Sequence, residues 1–488
     1  MQEERFFIPG IPYRNSGNSG GSSDRNLRRL TMRIGIAGAI FASGVIGLIL
    51  NAAYTLRAAL GALFLLAFLR YPYLLLIAWA LISVFVGSTV SFFNGNNFDT
   101  GLTVATFLLM TTVPFTASLR RMPALTLLGL FLLWVLAGIG VSPLDTGTFL
   151  TRWLISVDFL GVSVLVMNLL TTKRLLHRLI DAILLVTTFI SAYGVYGFFT
   201  KQNGVADAAV PVLFRSGSIF GDVAPSLAFF LCIIIPLAIY RTLTSDRLKR
   251  VIYLLVTLVS LASLVLTFTR TVFISFPLSI VIVIPLLPSR KLRAYLLSGA
   301  FALAALMIVL AVGLGLPIFD RFFNGDVTSL NGRTYLWQGL LSHFHPTQVL
   351  GNGLGASDIL LTRLRIGYGG VIDTAPHNFL LGTLYDHGII GMLLLLLTFV
   401  LLFVTLVKHI SRASGDYRVL LLMALVAWIN VFIMSLDSNE LWSQASALYF
   451  WIVMALPFAS CWPATQNSSW ANQASLHDEA EVRHAGVS

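Results

Sequence analysis

The sequence predicts an all-α fold, a polytopic transmembrane helix bundle with about 12–14 spans. Its 488 residues are 57% hydrophobic and only 11% charged, whereas a soluble domain carries about 25% charged residues. Uncharged apolar runs such as Ile34 to Leu50 and Val251 to Thr267 can fill most or all of a span of about 20 residues. Leu, Ala and Gly dominate these runs without strict alternation, which favours helices over strands.

The apolar segments divide the chain into five predicted regions. Residues 1–33 form a polar cytoplasmic arm whose composition predicts disorder. A transmembrane bundle follows over 34–316, then an extracytoplasmic loop with amphipathic helices over 317–376, C-terminal transmembrane helices over 377–462 and a cytoplasmic tail over 463–488. The predicted spans are 34–50, 53–69, 72–92, 101–118, 123–140, 149–170, 179–199, 217–240, 251–268, 271–288, 294–316, 377–407, 419–436 and 444–462.

Positive charge is distributed unevenly among the predicted loops. When the loops are assigned alternately to two sides, starting with the N-terminus inside, most of the 32 Lys and Arg residues fall inside. The positive-inside rule therefore predicts that both termini are cytoplasmic and that the loop 317–376 is outside. The same rule accounts for the net charge of +11 without nucleic acid as a partner. Cys232 and Cys461 lie in apolar runs and predict neither a disulfide framework nor a metal site.

The long outer loop contains a predicted helix, NGRTYLWQGLLSHF. Leu336, Trp337, Leu340 and Phe344 recur at helical spacing, and Arg333 shares their face. A helix with such a face is predicted to lie along the outer membrane surface, over the bundle.

Nine of the 32 Lys and Arg residues depart from the positive-inside pattern, and three of the nine are candidate binding residues. Arg270 lies in LVLTFTRTVFISF, at the predicted outer tip of a helical hairpin, where a cation is costly unless it faces a cavity or a partner. Arg215 opens RSGSIFGDVAPSLAFF just before a span, and Arg333 lies on the apolar face of the loop helix. The alternatives are snorkelling for Arg270, a loop arginine for Arg215 and a surface-helix arginine for Arg333.

His377 is the candidate proton acceptor. It stands in TAPHNFLLGTLYDHGIIG, where Thr374 is a candidate cap and Pro376 suits a first helical turn. The positive end of a helix dipole disfavours the imidazolium, so a neutral imidazole that accepts a proton is expected. The alternative is a polar residue that caps the helix at the interface. Tyr385, Asp386 and His387 in the same stretch are interpreted as helix packing, with a secondary polar site as the alternative.

Other sequence patterns predict no cofactor and no metal. The glycine run GNGLG at 351–355 follows no predicted strand, so it is interpreted as a flexible turn and not as a dinucleotide-binding loop. The chain has no Gly-Lys pair for a P-loop and no paired-Asp motif for a divalent cation.

The chemistry of the candidate residues indicates a diphosphate ligand. Guanidinium groups stay charged and bind phosphate oxygens bidentately, so Arg215, Arg270 and Arg333 together suit a diphosphate. ATP and nucleotide sugars are not expected outside the cytoplasm. A diphosphate whose lipid tail lies in the bilayer is the natural donor there.

Four features in this order resemble the O-antigen ligase and O-antigen polymerase superfamily of integral membrane glycosyltransferases. They are RSGSIFGD before a span, a TFTRT hairpin tip, NGRTYLW leading to HPTQVLGNGLG, and PHNFLLGTLYDHGIIG opening a late span. The resemblance is strongest over 213–393. The family pattern usually has Asn-Pro-Asn where this chain has Ala224, Pro225 and Ser226.

The resemblance implies glycosyl transfer on the outer face of the bacterial cytoplasmic membrane, without a metal. The donor would be a glycan on undecaprenyl diphosphate, and the acceptor would be a sugar hydroxyl of a glycan or of lipid A–core. By motif position, Arg215, Arg270 and Arg333 would bind the diphosphate. Arg333 and His377 would be catalytic, with His377 accepting the proton of the acceptor hydroxyl or orienting it.

Two alternatives stay open. A ligase and a polymerase of O-antigen or exopolysaccharide share this site and differ in the acceptor. A transporter or flippase of lipid-linked glycans is the alternative from another class, and it predicts ionisable groups near the bilayer midplane. Asp158 and Asp181 are the candidates for such groups.

Overall fold

The computed structural model describes most of the chain beyond residue 96 and little before it. The described residues are 67–68, 70–83, 97–202, 204–206, 214–220, 224–287, 290, 293–294, 297–298, 333–345, 349–364, 367–368, 371–372, 375–438, 441 and 444–462. The chain divides into two compact units, Met1–Tyr71 and Pro72–Ser488, and the second contains the helix bundle. The predicted arm 1–33, the span 34–50, nearly all of 53–69 and of 294–316, and the tail 463–488 lie outside the described residues.

Helices dominate the second unit. Its described α-helices are α1 (Tyr73–Ile82), α2 (Asn97–Met110), α3 (Phe115–Arg121), α4 (Ala124–Ala137), α5 (Thr146–Leu169), α6 (Lys173–Thr200), α7 (Ala224–Thr244), α8 (Arg247–Val265), α9 (Arg270–Val283), α10 (Arg333–Ser342), α11 (Ala356–Leu364), α12 (Phe379–Ile410), α13 (Gly415–Ser435) and α14 (Gln444–Ala455). Short 3₁₀ turns extend α4, α9 and α14.

Two short antiparallel strand pairs lie in loops. β1 (Gly204–Ala206) pairs with β2 (Phe214–Ser216) between α6 and α7, and Arg215 is the middle residue of β2. β3 (Gly367–Tyr368) pairs with β4 (Val371–Ile372) between α11 and α12. Neither pair forms a layer of the fold, so the predicted all-α class is confirmed.

Six described helices are long and apolar enough to cross a bilayer, namely α5, α6, α7, α8, α12 and α13. The predicted span over 101–118 is not one straight helix, because α2 and α3 meet there at a bend of 93°; a pair bent in this way is a broken span or a re-entrant loop. Pro114 precedes α3 and has no N–H to continue the hydrogen-bond ladder of α2. The polytopic helix bundle is confirmed, whereas the count of about 12–14 spans and the five regions stay predictions.

α7 and α13 form the centre of the described bundle. Side chains are buried along almost the whole length of both helices. α7 packs against α8, α13 and α14, and α13 also packs against α9 and α12. α8 instead exposes Val251, Leu254, Leu255 and Leu258, as a helix at a lipid boundary does. The starts of α7 and α9 and the end of α13 are thereby fixed at the same end of the bundle.

The opposite end of the bundle, which we term the basic end, is rich in Lys and Arg. Arg121 donates hydrogen bonds there to the carbonyl oxygens of Met167 (2.9 Å) and Phe458 (3.1 Å) and to the side chains of Asn168 and Ser460 (2.8 Å each). These contacts join α3, α5 and the turn after α14. Further cations of the basic end are Lys173, Arg174, Arg178, Arg241, Arg247, Lys249, Arg250, Lys408, Arg412 and Arg418.

Arg121→Ala is expected to lower the free energy of unfolding by about 3 kcal/mol, because a single hydrogen bond to a charged group contributes about 1.5–3 kcal/mol. Thermal unfolding of the detergent-solubilised protein measures this loss. Arg120→Ala is the matched control, since Arg120 is adjacent and exposed, and its midpoint should stay that of the wild type. Equal thermal unfolding midpoints for the two variants would contradict the conclusion that the hydrogen bonds of Arg121 stabilise the fold.

Candidate active site

The three arginines predicted from the sequence line one pocket, at the end of the bundle opposite the basic end. The pocket has a volume of about 110 Å³. Its described lining residues are Arg215, Pro225, Thr269, Arg270, Thr271, Arg333, Met434, Asp437 and Ser438. They come from β2, the starts of α7, α9 and α10, and the end of α13 with the turn after it. Segments distant in the chain therefore meet at this arginine pocket.

The β2 strand carries Arg215 and is fixed to two neighbouring elements. The Nε atom of Arg215 donates to the carbonyl oxygen of Thr267 at 3.1 Å. The Ser216 N–H donates to the carbonyl oxygen of Leu266 at 3.1 Å, and the Ser216 hydroxyl donates to that of Gly194 at 2.7 Å. The strand is thus attached to the turn after α8 and to α6. This short hairpin was not predicted, because its pairing depends on contacts with both helices.

Arg270 is the first residue of α9, at the predicted hairpin tip. Its Nε atom is buried and has no hydrogen-bond partner among the described residues. The same holds for the hydroxyl oxygens of Thr269 and Ser438, whose residues are each 8% exposed. A buried polar group without a partner costs about 1–3 kcal/mol. The pocket therefore suits a polar ligand that satisfies these groups.

Arg333 forms an ion pair with Asp437, which also accepts a hydrogen bond from the hydroxyl of Thr271. Among the described lining residues, three arginines meet one carboxylate, Asp437. Asp437 was not predicted as a site residue. The sequence feature that could have identified Asp437 is its position as an acidic residue directly after a predicted span, in a loop with almost no positive charge.

α12 begins at Phe379, later than the sequence predicts. The side-chain oxygen of Asn378 accepts hydrogen bonds from the N–H groups of Leu380 (3.1 Å) and Leu381 (3.0 Å). Asn378 is therefore the N-cap, and the prediction that the first helical turn starts at Pro376 is wrong. The predicted cap, Thr374, lies outside the described residues.

His377 lies beside the arginine pocket and is not among its lining residues. It is half-buried, and its φ of 48° is in the left-handed region, which costs about 1–3 kcal/mol for a residue other than glycine. Its neighbour Asn378 donates to the carbonyl oxygen of Leu436 at 3.1 Å. Because Leu436 directly precedes Asp437, the backbone at His377 is held next to the pocket. Its predicted catalytic role stays a prediction.

α10 places Arg333 and is packed from two sides. Leu336 and Leu340 are buried in a small apolar cluster with Leu361 of α11. The indole N–H of Trp337 donates to the carbonyl oxygen of Pro376 at 3.0 Å. The helix predicted from NGRTYLWQGLLSHF is confirmed over Arg333–Ser342, with its apolar face packed on α11 and α12.

The glycine run is a turn, as predicted, but it is held firmly in place. Gly351, Gly353 and Gly355 have φ values of 71°, 88° and 81°, a region that favours glycine. The N–H groups of Asn352 and Gly353 donate to carbonyl oxygens of α12 at 3.0 and 2.8 Å. We term residues 349–355 the glycine turn.

Asp386 connects α12 to the start of α11. One of its carboxyl oxygens accepts from the N–H of Gly355 at 3.1 Å, and the other accepts from that of Ser357 at 2.7 Å. The packing interpretation fits Tyr385, which joins the apolar cluster, and His387, whose ring lies edge-on to that of Phe131. For Asp386 the packing interpretation is wrong, since its side chain caps a second helix.

An ion pair holds α11 from its other side. Arg152 of α5 lies 3.7 Å from Asp358, with about half of each side chain exposed. Burial raises the pKa of the Asp358 carboxyl above its ordinary value, and the Arg152 guanidinium opposes that rise. α11 is thus anchored to both α5 and α12.

No group of three or more His, Cys, Asp or Glu side chains in the described part of the chain could hold a metal ion. The predicted independence from metals and cofactors stays a prediction.

The fold defines a multi-pass helical membrane protein, and three of its arginines line one pocket. Residues 255–396 match the protein-family model described as O-antigen ligase. The matched segment includes Arg270, Arg333 and His377, and it confirms the resemblance to the O-antigen ligase and polymerase superfamily. The match supports a membrane glycosyltransferase of this general type. No curated protein matches the chain.

Asn378→Ala is expected to destabilise the first turn of α12 by about 1 kcal/mol, because the cap of two backbone N–H groups is lost. Hydrogen exchange followed by mass spectrometry should show faster exchange at Leu380 and Leu381. Asn378→Asp is the control for the cap, since a carboxylate still accepts from both N–H groups although it cannot donate to Leu436, and exchange at Leu380 and Leu381 should stay slower than in the alanine variant. Unchanged exchange in the alanine variant would contradict the assignment of the cap.

Proposed function

We propose that this chain is an inverting, metal-independent glycosyltransferase on the outer face of the bacterial cytoplasmic membrane. It transfers or polymerises a glycan from undecaprenyl diphosphate onto a sugar hydroxyl of an acceptor glycan or of lipid A–core. The observation that carries the proposal is the convergence of Arg215, Arg270 and Arg333 on one pocket.

The pocket suits a diphosphate in charge and in size. Its described lining combines three guanidinium groups with one carboxylate, and guanidinium forks bind phosphate oxygens bidentately. Its volume of about 110 Å³ is below the range of about 300–1,000 Å³ typical of pockets for drug-sized ligands. A compact headgroup therefore fits inside, while the glycan and the lipid extend away from the pocket.

In the reaction, the acceptor hydroxyl attacks the anomeric carbon and the bond from that carbon to the diphosphate oxygen breaks. Attack from the side opposite the leaving group inverts the configuration. Negative charge develops on the departing undecaprenyl diphosphate, and the arginines stabilise it because they are already in place. Diphosphate is a good leaving group, so much of the rate comes from holding the two substrates in position.

His377 receives the proton of the acceptor hydroxyl in this proposal. The backbone of His377 is held at the edge of the pocket, because its neighbour Asn378 donates to the carbonyl oxygen of Leu436. Asp437, which follows Leu436, holds the guanidinium of Arg333. His377 and Arg333 are thereby linked through the hydrogen bond from Asn378 to Leu436 and the ion pair of Asp437 with Arg333.

The charge distribution supports an outer location for the pocket. The basic end carries most of the described Lys and Arg residues near helix ends, and such residues concentrate on the cytoplasmic side. The arginine pocket lies at the other end, where the donor reaches it from the outer leaflet with its tail in the bilayer.

The contacts favour a transferase over a lipid-linked glycan transporter. Asp158 accepts a hydrogen bond from Thr103, and Asp181 forms an ion pair with Arg241 at 3.0 Å. These two carboxylates lie on different helices and are engaged in local contacts. The three arginines meet at one end of the bundle and do not follow a path through it. Ligase and polymerase share this geometry, and the acceptor distinguishes them.

Impermeant thiol labelling of intact cells tests the orientation. In a variant without Cys232 and Cys461, a cysteine replacing Leu341, which is 52% exposed on α10, should be labelled in intact cells. The control is a cysteine replacing Leu248, which is 76% exposed at the basic end and should be labelled only after lysis. The reverse pattern would overturn the orientation and the proposed reaction with it.

Arg333→Lys is expected to lower the transfer rate by about 10²-fold, because an ammonium keeps the charge but cannot form the bidentate fork. The assay follows release of undecaprenyl diphosphate by purified protein given a lipid-linked glycan and candidate acceptors. Arg363→Lys, at an exposed arginine of α11, is the matched control and should keep full activity. Equal rates for both variants would exclude Arg333 from the chemistry.

His377→Ala is expected to lower the same rate by about 10²–10⁴-fold, the usual effect of losing a proton acceptor. The exposed His343 at the end of α10 supplies the control His343→Ala, which should behave as wild type. Full turnover by His377→Ala would reject the proton-transfer role and leave positioning by the arginines as the surviving mechanism.

A further inference from the structure

α12 is broken where it meets the glycine turn. Gly388 has φ 70° and ψ −175°, which is not helical. The break releases carbonyl oxygens just before it from their partners within the helix, and groups outside α12 bind them. The Tyr385 oxygen accepts from the N–H of Asn352 and the Asp386 oxygen from that of Gly353. The His387 oxygen accepts from the indole of Trp134 at 2.9 Å.

The two backbones touch at this break. A Cβ atom added at Gly351 would collide with the Gly388 nitrogen and the Asp386 carbonyl oxygen, and one added at Gly388 would lie 2.8 Å from the Gly351 nitrogen. Both residues also have positive φ values. The glycine turn is therefore seated in the break with no room for a side chain between them.

Asp386 is a buried carboxyl group that the proposed reaction does not use. It is 9% exposed and forms no ion pair within the described residues. Its oxygens bind instead the two N–H groups at the start of α11. Burying a carboxyl group without a cation is costly, so this arrangement needs a purpose beyond filling space.

A continuous set of contacts leads from Asp386 to Arg333. The carboxyl group fixes the start of α11, and Leu361 of α11 packs with Leu336 and Leu340 of α10. Arg333 is the first residue of α10 and reaches into the pocket. These contacts connect the start of α11 to α10 and so to Arg333.

We propose that Asp386 is a positioning residue for the transfer reaction and acts through Arg333; this inference rests on the proposed function. The glycine turn and the Asp386 carboxyl group together fix the positions of α11 and α10 relative to α12. Arg215 reaches the pocket on β2, which is anchored to α6 and α8, so Asp386 does not act through Arg215.

Asp386→Asn tests the proposal because it keeps the volume but places an amide N–H₂ against a backbone N–H. The expected result is a fall in kcat of about tenfold or more, because displacing a catalytic group by about 1 Å can cost 10²-fold. KM for the acceptor should stay the same.

Ser357→Pro removes the N–H group that donates to the Asp386 carboxyl group near the start of α11. This variant should lower kcat in the same way. Asp145→Asn is the matched control, since Asp145 caps α5 through the N–H of Thr148, and its kcat should equal that of the wild type.

Double variants identify the residue through which Asp386 acts. If it acts through Arg333, Asp386→Asn should cost nothing further in an Arg333→Lys background. In an Arg215→Lys background its full loss should persist. Multiplicative losses in both backgrounds would overturn the proposal.

A spin label at position 341 of α10 gives a readout that needs no activity. Asp386→Asn should increase the mobility of the label, and Asp386→Glu should restore the wild-type spectrum and part of kcat. An unchanged spectrum in Asp386→Asn would overturn the inference while leaving the proposed function standing. Absence of transfer by the wild type, with the spectral shift present, would instead reject the proposed function.

Discussion

The meeting of three arginine side chains at one end of the bundle is the constraint on which the site depends. Three guanidinium groups meet around one carboxylate, Asp437, and the buried Nε atom of Arg270 has no partner in the described part of the chain. Guanidinium groups gathered at one site repel each other, and a ligand with negative charge relieves that repulsion. The surrounding structure therefore has to hold the arginines together against their mutual repulsion.

The bundle does this by presenting each arginine at the end of a separate rigid element. α7 and α13 are buried almost throughout, and they fix α9 and with it Arg270. Arg215 is held by hydrogen bonds of β2 to the turn after α8 and to α6. Arg333 depends on α10, whose position depends in turn on α11 and on the broken helix α12. Preorganised charge of this kind stabilises a developing anion without further rearrangement.

Local signals explain what the sequence could predict. Apolar length reveals a span without knowledge of its neighbours, and a cation such as Arg270 between apolar runs is conspicuous wherever the chain folds. The bend at Pro114 could not be predicted from hydropathy, because the apolar run continues through it. Asn378 and Thr374 are both acceptable caps, and the left-handed backbone of His377 decides between them. Asp437 and Asp386 could not be assigned, because Thr271 lies 166 residues from the former and Gly355 lies 31 residues from the latter.

Binding of an isoprenyl diphosphate to the purified protein, measured by titration calorimetry in nanodiscs, shows whether the arginine pocket is a diphosphate site. The diphosphate should bind more tightly than the matching monophosphate. Arg270→Gln should weaken diphosphate binding by about tenfold or more, since a hydrogen bond to a charged group contributes about 1.5–3 kcal/mol. Equal affinity for the two lipids, or for the wild type and the Arg270→Gln variant, would contradict the assignment of the arginine pocket as a diphosphate site.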